Sequence, residues 1–248
     1  MSKINIRGVM FDNVTMDEAV EICEGFVKTS RHGVVYTPNA EMVQMTVENE
    51  AFAKTVNSAD LIIPDGAGVV LASKILKKNL KGKVAGVELA ERLVARSGES
   101  GIKFFFYGSS PDAADGRAVA EVAREKLLEK YPDAHIVGTN HGYVKEDGMD
   151  ALIEKINESG ADALFVCLGV PRQENWIYAN RDRLNPKIII GLGGSLDVFA
   201  GTVQRAPKIF IKLNLEWFYR LIKEPWRLGR MMNIPKFLIA TVFSKRGD

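Results

Sequence analysis

Leu61-Ile62-Ile63 is an apolar run that stops at Pro64 and hands Asp65 to a glycine-flanked turn, in the stretch ADLIIPDGAGVV over residues 59–70. Leu61 to Pro64 reads as a short buried strand. From Gly68 the apolar residues Val69, Val70, Ala72, Ile75 and Leu76 recur at helical spacing. Asp65 therefore stands where a strand gives way to a helix, the place where open α/β proteins put ligands. A carboxylate there can have a catalytic role. It can equally cap the helix that follows, a role aspartate fills well. The local sequence does not choose between the two.

Five further apolar stretches end in small or polar residues. They are Tyr36-Thr37-Pro38-Asn39, Tyr107-Gly108-Ser109-Ser110, Gly138-Thr139-Asn140, Leu168-Gly169-Val170-Pro171 and the run from Gly191 to Ser195. In a parallel sheet all six carboxyl ends fall on one edge. Glycines there let the backbone approach a phosphate, and helix N-termini offer N–H donors. Any one such loop is an ordinary turn, whereas six on one edge favour a nucleotide or phosphate ligand. Absent motifs narrow the class. No strand is followed by GxGxxG with an acid about 20 residues on, which disfavours a dinucleotide oxidoreductase or a related Rossmann methyltransferase. There is no GxxxxGK[ST], GxSxG or HExxH. His32, His135 and His141 lack metal-ligand spacing, and no Asp-x-Asp pair is present to hold a divalent ion. Neither a metal nor a cofactor is expected.

The elements that must position these ends alternate along the first 204 residues. Thr15 and Glu18 form a capping box before a helix to about Ser30, with Ala19, Ile22, Cys23 and Phe26 inward. A strand at 33–37 is followed by a helical stretch from about 40 to 59, strand 61–64, and helices at 68–78 and about 87–97. Strand 103–108 leads through Pro111 to a long helix ending near Tyr131. Strand 135–139, helix 147–159, strand 163–169, helix 171–184 and strand 187–193 complete the series. Near-continuous apolar strands between amphipathic helices predict an α/β fold, a Rossmann-like parallel sheet with helices on both faces. The expected division is a catalytic domain over 1–204 and a helical appendage over 205–248. Cys23 and Cys167 fall in helical and strand patterns and read as reduced core residues.

Composition (46% hydrophobic, 26% charged) is that of a soluble protein with a sizeable core. The N-terminus lacks a signal-peptide apolar segment and no run of 18 apolar residues occurs, so a cytoplasmic protein is expected. The formal charge of +2 hides an asymmetry. Ten cations against three acids give residues 205–248 a net +7, leaving −5 for residues 1–204. The same tail holds Trp217, Phe218, Tyr219, Trp226, Phe237 and Phe243. Residues 208–223 read as an amphipathic helix that Pro225 interrupts, and 236–244 as an apolar segment too short to span. A basic, aromatic-rich tail on an acidic body predicts an anionic surface as partner.

Read together, TPNAEMV (37–43), PDGAGVV (64–70), VAGVEL (84–89), FFYGSS (105–110), LGVPRQENW (168–176), GLGGSLDVFAG (191–201), RAP (205–207) and LEWFYRL (215–221) resemble the TagA/WecG/CpsF family of bacterial glycosyltransferases. The likeness runs through almost the whole chain in order, and the basic tail is similar to that of the wall teichoic acid members. Those members transfer N-acetylmannosamine from UDP to the C4 hydroxyl of GlcNAc on undecaprenyl diphosphate, inverting the anomeric centre. The resemblance implies a metal-independent reaction in which Asp65 is the base. It places Thr37, Asn39 and Gln173 in the sugar pocket. UDP would lie on the loops at Tyr107-Gly108, Asn140 to Tyr143 and Gly193 to Asp197. The local alternatives are that Asn39 caps a helix and that Asp197 closes a turn.

Where the family often has arginine before VAG this chain has Lys83, which keeps the charge and loses the bidentate fork. Arg220, Arg227 and Arg230, at steps of seven and three, come close to one helical face and would meet the lipid diphosphate. The partners so implied are UDP-N-acetylmannosamine, polyprenyl-diphosphate-linked GlcNAc and the anionic inner leaflet, with peripheral membrane association. No nucleic acid is expected, and a homo-oligomer is compatible with the sequence. The competing readings are a related UDP-hexosaminuronate or UDP-hexose transferase, and a nucleotide-binding membrane adaptor without chemistry.

Overall fold

The computed structural model describes residues 2–204, 206–212, 216–223, 229 and 232–244. A hairpin, β1 (Lys3–Ile6) and β2 (Val9–Asp12), precedes α1 (Met16–Lys28) and β3 (Gly33–Tyr36). Next come α2 (Ala40–Glu48), α3 (Glu50–Asn57), β4 (Leu61–Ile62), α4 (Ala67–Ile75), α5 (Gly86–Ala95) and α6 (Ser97–Ser100). The chain continues through β5 (Phe104–Gly108), α7 (Val119–Lys130), β6 (Ile136–Asn140), α8 (Met149–Glu158), β7 (Ala163–Cys167), α9 (Arg172–Asn180), β8 (Ile188–Gly191) and α10 (Ser195–Phe199). Beyond the sheet lie α11 (Lys208–Lys212), α12 (Glu216–Lys223) and α13 (Asn233–Ser244).

Strands β3 to β8 form one sheet in the order β4-β3-β8-β7-β5-β6, and every pairing in it is parallel. The expected α/β fold is therefore the observed one. Every residue of β3, β5, β7 and β8 is buried, as a sheet covered on both faces requires. The two-residue alternation of side chains divides the core in two. Phe104, Phe106 and Phe165 join α1, α5, α7 and α10 on one face. Tyr36, Phe105, Tyr107 and Val166 join α2, α3, α4, α8, α9 and α13 on the other. Both cysteines are free and buried, and burial pushes each thiol up to about 12.

The capping box at Thr15 and Glu18 forms as expected. Ala19, Cys23 and Phe26 of that helix are buried, and Ile22 packs against the same core. Besides the short helix α10, which follows the last expected strand, three features depart from the expected elements. The single helix over about 40–59 is two helices. Asn49, extended at φ −141° and ψ 104°, ends α2 and caps α3 through its side chain. The long helix after Pro111 begins only at Val119, because residues 109–118 form a loop closed by bonds such as Ala113 N–H to the Arg117 carbonyl. The hairpin was not expected. It turns at Arg7-Gly8, both at positive φ, as a two-residue turn demands. Asp12 anchors it by accepting the Ile62 N–H of β4 at 2.9 Å.

Beyond residue 204, helix α13 packs on α2 and α4 of the body. Phe237 of α13 is fully buried in the core with Tyr36 and Met42, and Thr241 is buried beside it on the same helix. Segments 208–212 and 216–223 of the expected amphipathic helix are helical. The interruption expected at Pro225 lies outside the described residues.

Candidate active site at the carboxyl edge of the sheet

The strand order sets how the candidate residues line up. Along the edge stand Asp65 after β4, Thr37 and Asn39 after β3, Gly193 after β8, Gly169 after β7, Ser109 after β5 and Asn140 at the end of β6. From β3 to β5 is three strand steps, about 14 Å. A ligand touching both halves must be elongated. The chain from β5 runs to β6 and that from β7 runs to β8, in opposite directions, so a crevice opens between these two neighbours.

The first half gathers Asp65, Thr37, Asn39 and the segment around Lys83. The Asp65 N–H donates to the Pro38 carbonyl at 3.1 Å, and the Val84 N–H donates to the Pro64 carbonyl at 2.9 Å. The Thr37 hydroxyl donates to the Gly191 carbonyl at 3.2 Å. A Cβ at Gly86 would lie 3.1 Å from the Thr37 side chain, a tighter contact than most, so the first turn of α5 runs close beside Thr37. Asp65 does not cap the helix that follows it. The N-cap of α4 is Gly66, at φ +87°, with no side-chain cap bond. The half-buried Asp65 carboxylate instead faces the Gly86 N–H of α5 at 3.5 Å, a long contact at the limit of a hydrogen bond. Asn39 does cap: its Oδ1 accepts the Met42 N–H at 3.0 Å at the start of α2.

Gln173 ties this half to the next strands. It is only 2% exposed. Its Oε1 accepts the Gly193 N–H at 2.8 Å and its Nε2 donates to Glu174 Oε1 at 2.7 Å. Nothing in the sequence singles out Glu174, because an acid in a helix's first turn is an ordinary exposed feature. In the fold it is 1% exposed, and burial pushes its carboxyl up to about 7 against the opposing pull of the Gln173 bond. A folded-state value above the unfolded one means the folded chain keeps a proton that the unfolded chain releases. The stability this contributes is fully present below about 4.5 and is lost as pH rises through about 7, on the order of 3 kcal/mol. Glu174→Gln should therefore flatten the melting temperature between pH 5 and 8 and exceed the wild type at pH 8. Parallel melting curves across that range would contradict the assignment.

The second half is built on close backbone approach. Gly108, at φ +144°, lies so near β7 that a Cβ would sit 2.3 Å from the Cys167 carbonyl oxygen. Ser109 takes the left-handed conformation at φ 57° and donates from Oγ to the Asp197 carboxylate at 2.9 Å. Gly142 donates its N–H to the Ser109 carbonyl at 2.9 Å, which folds the β6 loop onto the β5 loop. Asn140 Oδ1 accepts from Lys155 at 2.9 Å, and Tyr143 is 65% exposed at the mouth of the loop. Tyr107 is placed differently from the rest. Its side chain is buried beneath the edge with its ring 4.9 Å from Trp176, and burial raises its hydroxyl pKa. Its backbone forms part of the edge and its ring supports α9.

Lys83 reaches the appendage. Its Nζ lies 3.2 Å from the Glu216 carboxylate of α12, both side chains about one-fifth exposed, so the lysine at this position joins the two parts beside Asp65. The side chain of Arg220, and Arg227 and Arg230 entirely, lie outside the described residues. Among the described residues no three His, Cys, Asp or Glu side chains gather as a metal site. A groove of about 580 Å³ lined by residues including Asp150, Asn157 and Arg183 lies before the amino end of β8 and contains none of the candidates.

Fold and edge together define a Rossmann-like α/β protein with a single candidate carboxylate, Asp65, on one half of the carboxyl edge and glycine-lined loops on the other. The chain belongs to the glycosyl transferase WecG/TagA/CpsF family, whose model matches residues 4–248. It is 34% identical over 247 residues to the N-acetylglucosaminyldiphosphoundecaprenol N-acetyl-beta-D-mannosaminyltransferase of Staphylococcus aureus strain MRSA252, covering 99% of this chain and 94% of the relative. The proteins of the same name from strains MW2 and NCTC 8325 match to the same extent. The family expected from the sequence motifs is thus the family found.

Proposed function

We propose that the chain moves N-acetylmannosamine from UDP to the C4 hydroxyl of GlcNAc on undecaprenyl diphosphate. The product is the β-1,4 linkage of the wall teichoic acid linkage unit. The observation that carries the reading is the position of Asp65. Its carboxylate lies at the β4 edge beside Thr37 and the start of α5, while a glycine caps its own helix. In a single displacement the acceptor oxygen attacks C1 of the donor sugar and passes its proton to Asp65. The bond from C1 to the UDP oxygen breaks with its electron pair staying on the diphosphate. Thr37, Asn39 and Gln173 hold the sugar end. Gly108, Asn140, Tyr143, Gly193 and Asp197 line the nucleotide end.

Lys83 and the helix N-termini of the edge would stabilise the leaving diphosphate of UDP, in place of the metal ion that an Asp-x-Asp pair would hold, while the arginines of the tail would meet the diphosphate of the acceptor lipid. Activity should accordingly survive EDTA. Loss on chelation with recovery on adding Mg²⁺ or Mn²⁺ would contradict this.

The appendage supports action at a membrane surface. Eight of the fourteen exposed large apolar side chains among the described residues lie beyond residue 205, including Ile209, Ile222, Ile239 and Phe243. That concentration, on a segment of net +7, suits a peripheral contact with an anionic leaflet. No described helix is long and apolar enough to cross a membrane.

The reading is tested by transfer assays with a panel of UDP-N-acetylhexosamines and a water-soluble GlcNAc-diphospho-lipid analogue. UDP release coupled to disaccharide formation, highest with UDP-N-acetylmannosamine, is expected. Binding of UDP with no transfer from any donor would favour a nucleotide-binding adaptor.

A further inference from the structure

We propose that Glu174 is a positioning residue that orients the Gln173 amide and, through it, the Gly191–Gly194 turn against Thr37. The inference rests on the reading of this edge as the transferase site, and it concerns a residue in direct contact with none of the reacting groups.

The amide comes first. A glutamine side chain presents an acceptor at one end and donors at the other, and its neighbours decide which way it points. The Gly193 N–H, at 2.8 Å, demands the oxygen. Glu174 Oε1, at 2.7 Å, demands the NH₂ group. Only one orientation satisfies both, and Glu174 is the partner that makes the reversed amide costly. The same amide nitrogen would lie 3.0 Å from a Cβ at Gly191, and the Gly191 carbonyl receives the Thr37 hydroxyl. Tyr36, the residue before Thr37, donates its hydroxyl to the Glu174 main-chain carbonyl at 3.1 Å. Glu174 is thus bound to both sides of the Thr37 position, by its carboxyl through β8 and by its backbone through β3.

A second observation separates this role from simple packing. Glu174 Oε2 is buried and has no hydrogen-bond partner among the described residues. Buried polar groups are nearly always satisfied, so a bare carboxyl oxygen calls for an explanation. Held as the neutral acid, Glu174 accepts from Gln173 through one oxygen and leaves no charge unpaired. Ionised, it leaves half of a buried charge without a donor. Among the described residues no cation is bonded to its carboxyl. Tyr178 and Arg181 are the other titratable groups around the Tyr36–Glu174 pair, and the Arg181 guanidinium is directed to Ser58. Helix α3, packed on α9, has Glu50 and Lys54 on its outer side, and the Cys167 thiol of β7 stays protonated. The upward displacement of the Glu174 carboxyl agrees with this setting.

The test compares wild type, Glu174→Gln and Glu174→Ala in full-length protein at pH 6 and pH 8, by transfer kinetics and by hydrogen exchange at the Gly193 amide. Leaving the Gln173 NH₂ group without its acceptor corresponds to a loss of roughly 10–100-fold. Glu174→Ala should lose that much kcat/KM and speed Gly193 exchange to a similar degree. Glu174→Gln, which keeps an acceptor, should recover most of both at pH 6. At pH 8 it should outperform the wild type, whose profile carries a decline through about pH 7 that the Gln variant lacks. Wild-type kinetics and exchange in Glu174→Ala would overturn the proposal, as would identical pH profiles for wild type and Glu174→Gln. Should the Ala variant fail to fold, the Gln profile alone decides. A wild type inactive with every UDP-sugar would defeat the functional reading while leaving Gly193 exchange to judge this one.

Discussion

Asp65→Asn should lower turnover by roughly 10²–10⁴-fold while leaving the melting temperature almost unchanged, the usual worth of a positioned base that is not also a structural one. The geometry separates the two roles. Were Asp65 the cap of α4, its removal would cost about 1 kcal/mol, but Gly66 holds that position and no side chain caps the helix. The contact of Asp65 with the Gly86 N–H is 3.5 Å long, at the limit of a hydrogen bond. Substrate affinity should survive in the Asn variant, because the amide keeps the shape of the carboxylate and loses only its basicity. Turnover near the wild-type value at matched melting temperature would remove Asp65 from the mechanism.

The second large effect is expected from the tail. Arg220→Glu, Arg227→Glu and Arg230→Glu should each reduce transfer by roughly 10–100-fold even with a short, water-soluble acceptor, since a charge-assisted bond to a diphosphate is worth about 1.5–3 kcal/mol. Reduction confined to membrane-bound acceptor would make the tail an anchor alone. The whole tail is a poor object for deletion. Phe237 of α13 is fully buried with Tyr36 and Met42 in the core beneath the site, so truncation at 204 uncovers that core. Phe237→Ala alone should cost about 3–5 kcal/mol, measurable by denaturant unfolding. Point substitutions in the arginines leave α13 in place and read the active-site role directly.

How much of the fold and site is legible in the sequence follows from the range of each interaction. The capping box of α1 joins residues three apart, and the buried strands announce themselves by unbroken apolar runs. The sheet and the edge that gathers Asp65, Thr37, Asn39 and Gly193 come from such local signals. The break at Asn49 is not legible, because no Gly or Pro marks it and both flanking segments favour helix. The loop at 109–118 does carry a warning in Asp112, Asp115 and Gly116, residues that favour turns, but Pro111 resembles a helix start. The hairpin turn uses Arg7-Gly8, a weaker signal than Asn-Gly.

The site's internal wiring is the least visible part. Lys83 meets Glu216 across 133 residues, and Tyr36 meets Glu174 across 138. No local pattern encodes pairings of that span. They depend on the strand order, which places β3 beside β8 rather than beside β5. Tyr107 illustrates the converse. Its position at a strand end makes it a candidate for ligand contact, yet the two-residue alternation turns its ring into the core against Trp176.

The most direct measurement of the central claim is the anomeric configuration of the disaccharide product, read from the one-bond C1–H1 coupling after transfer from an α-linked UDP-N-acetylhexosamine. One carboxylate acting as base in a single displacement predicts a β linkage. An α-linked product would mean retention, by a double displacement or by attack on the face of the leaving group, and would contradict the role of Asp65 as the base of a single displacement.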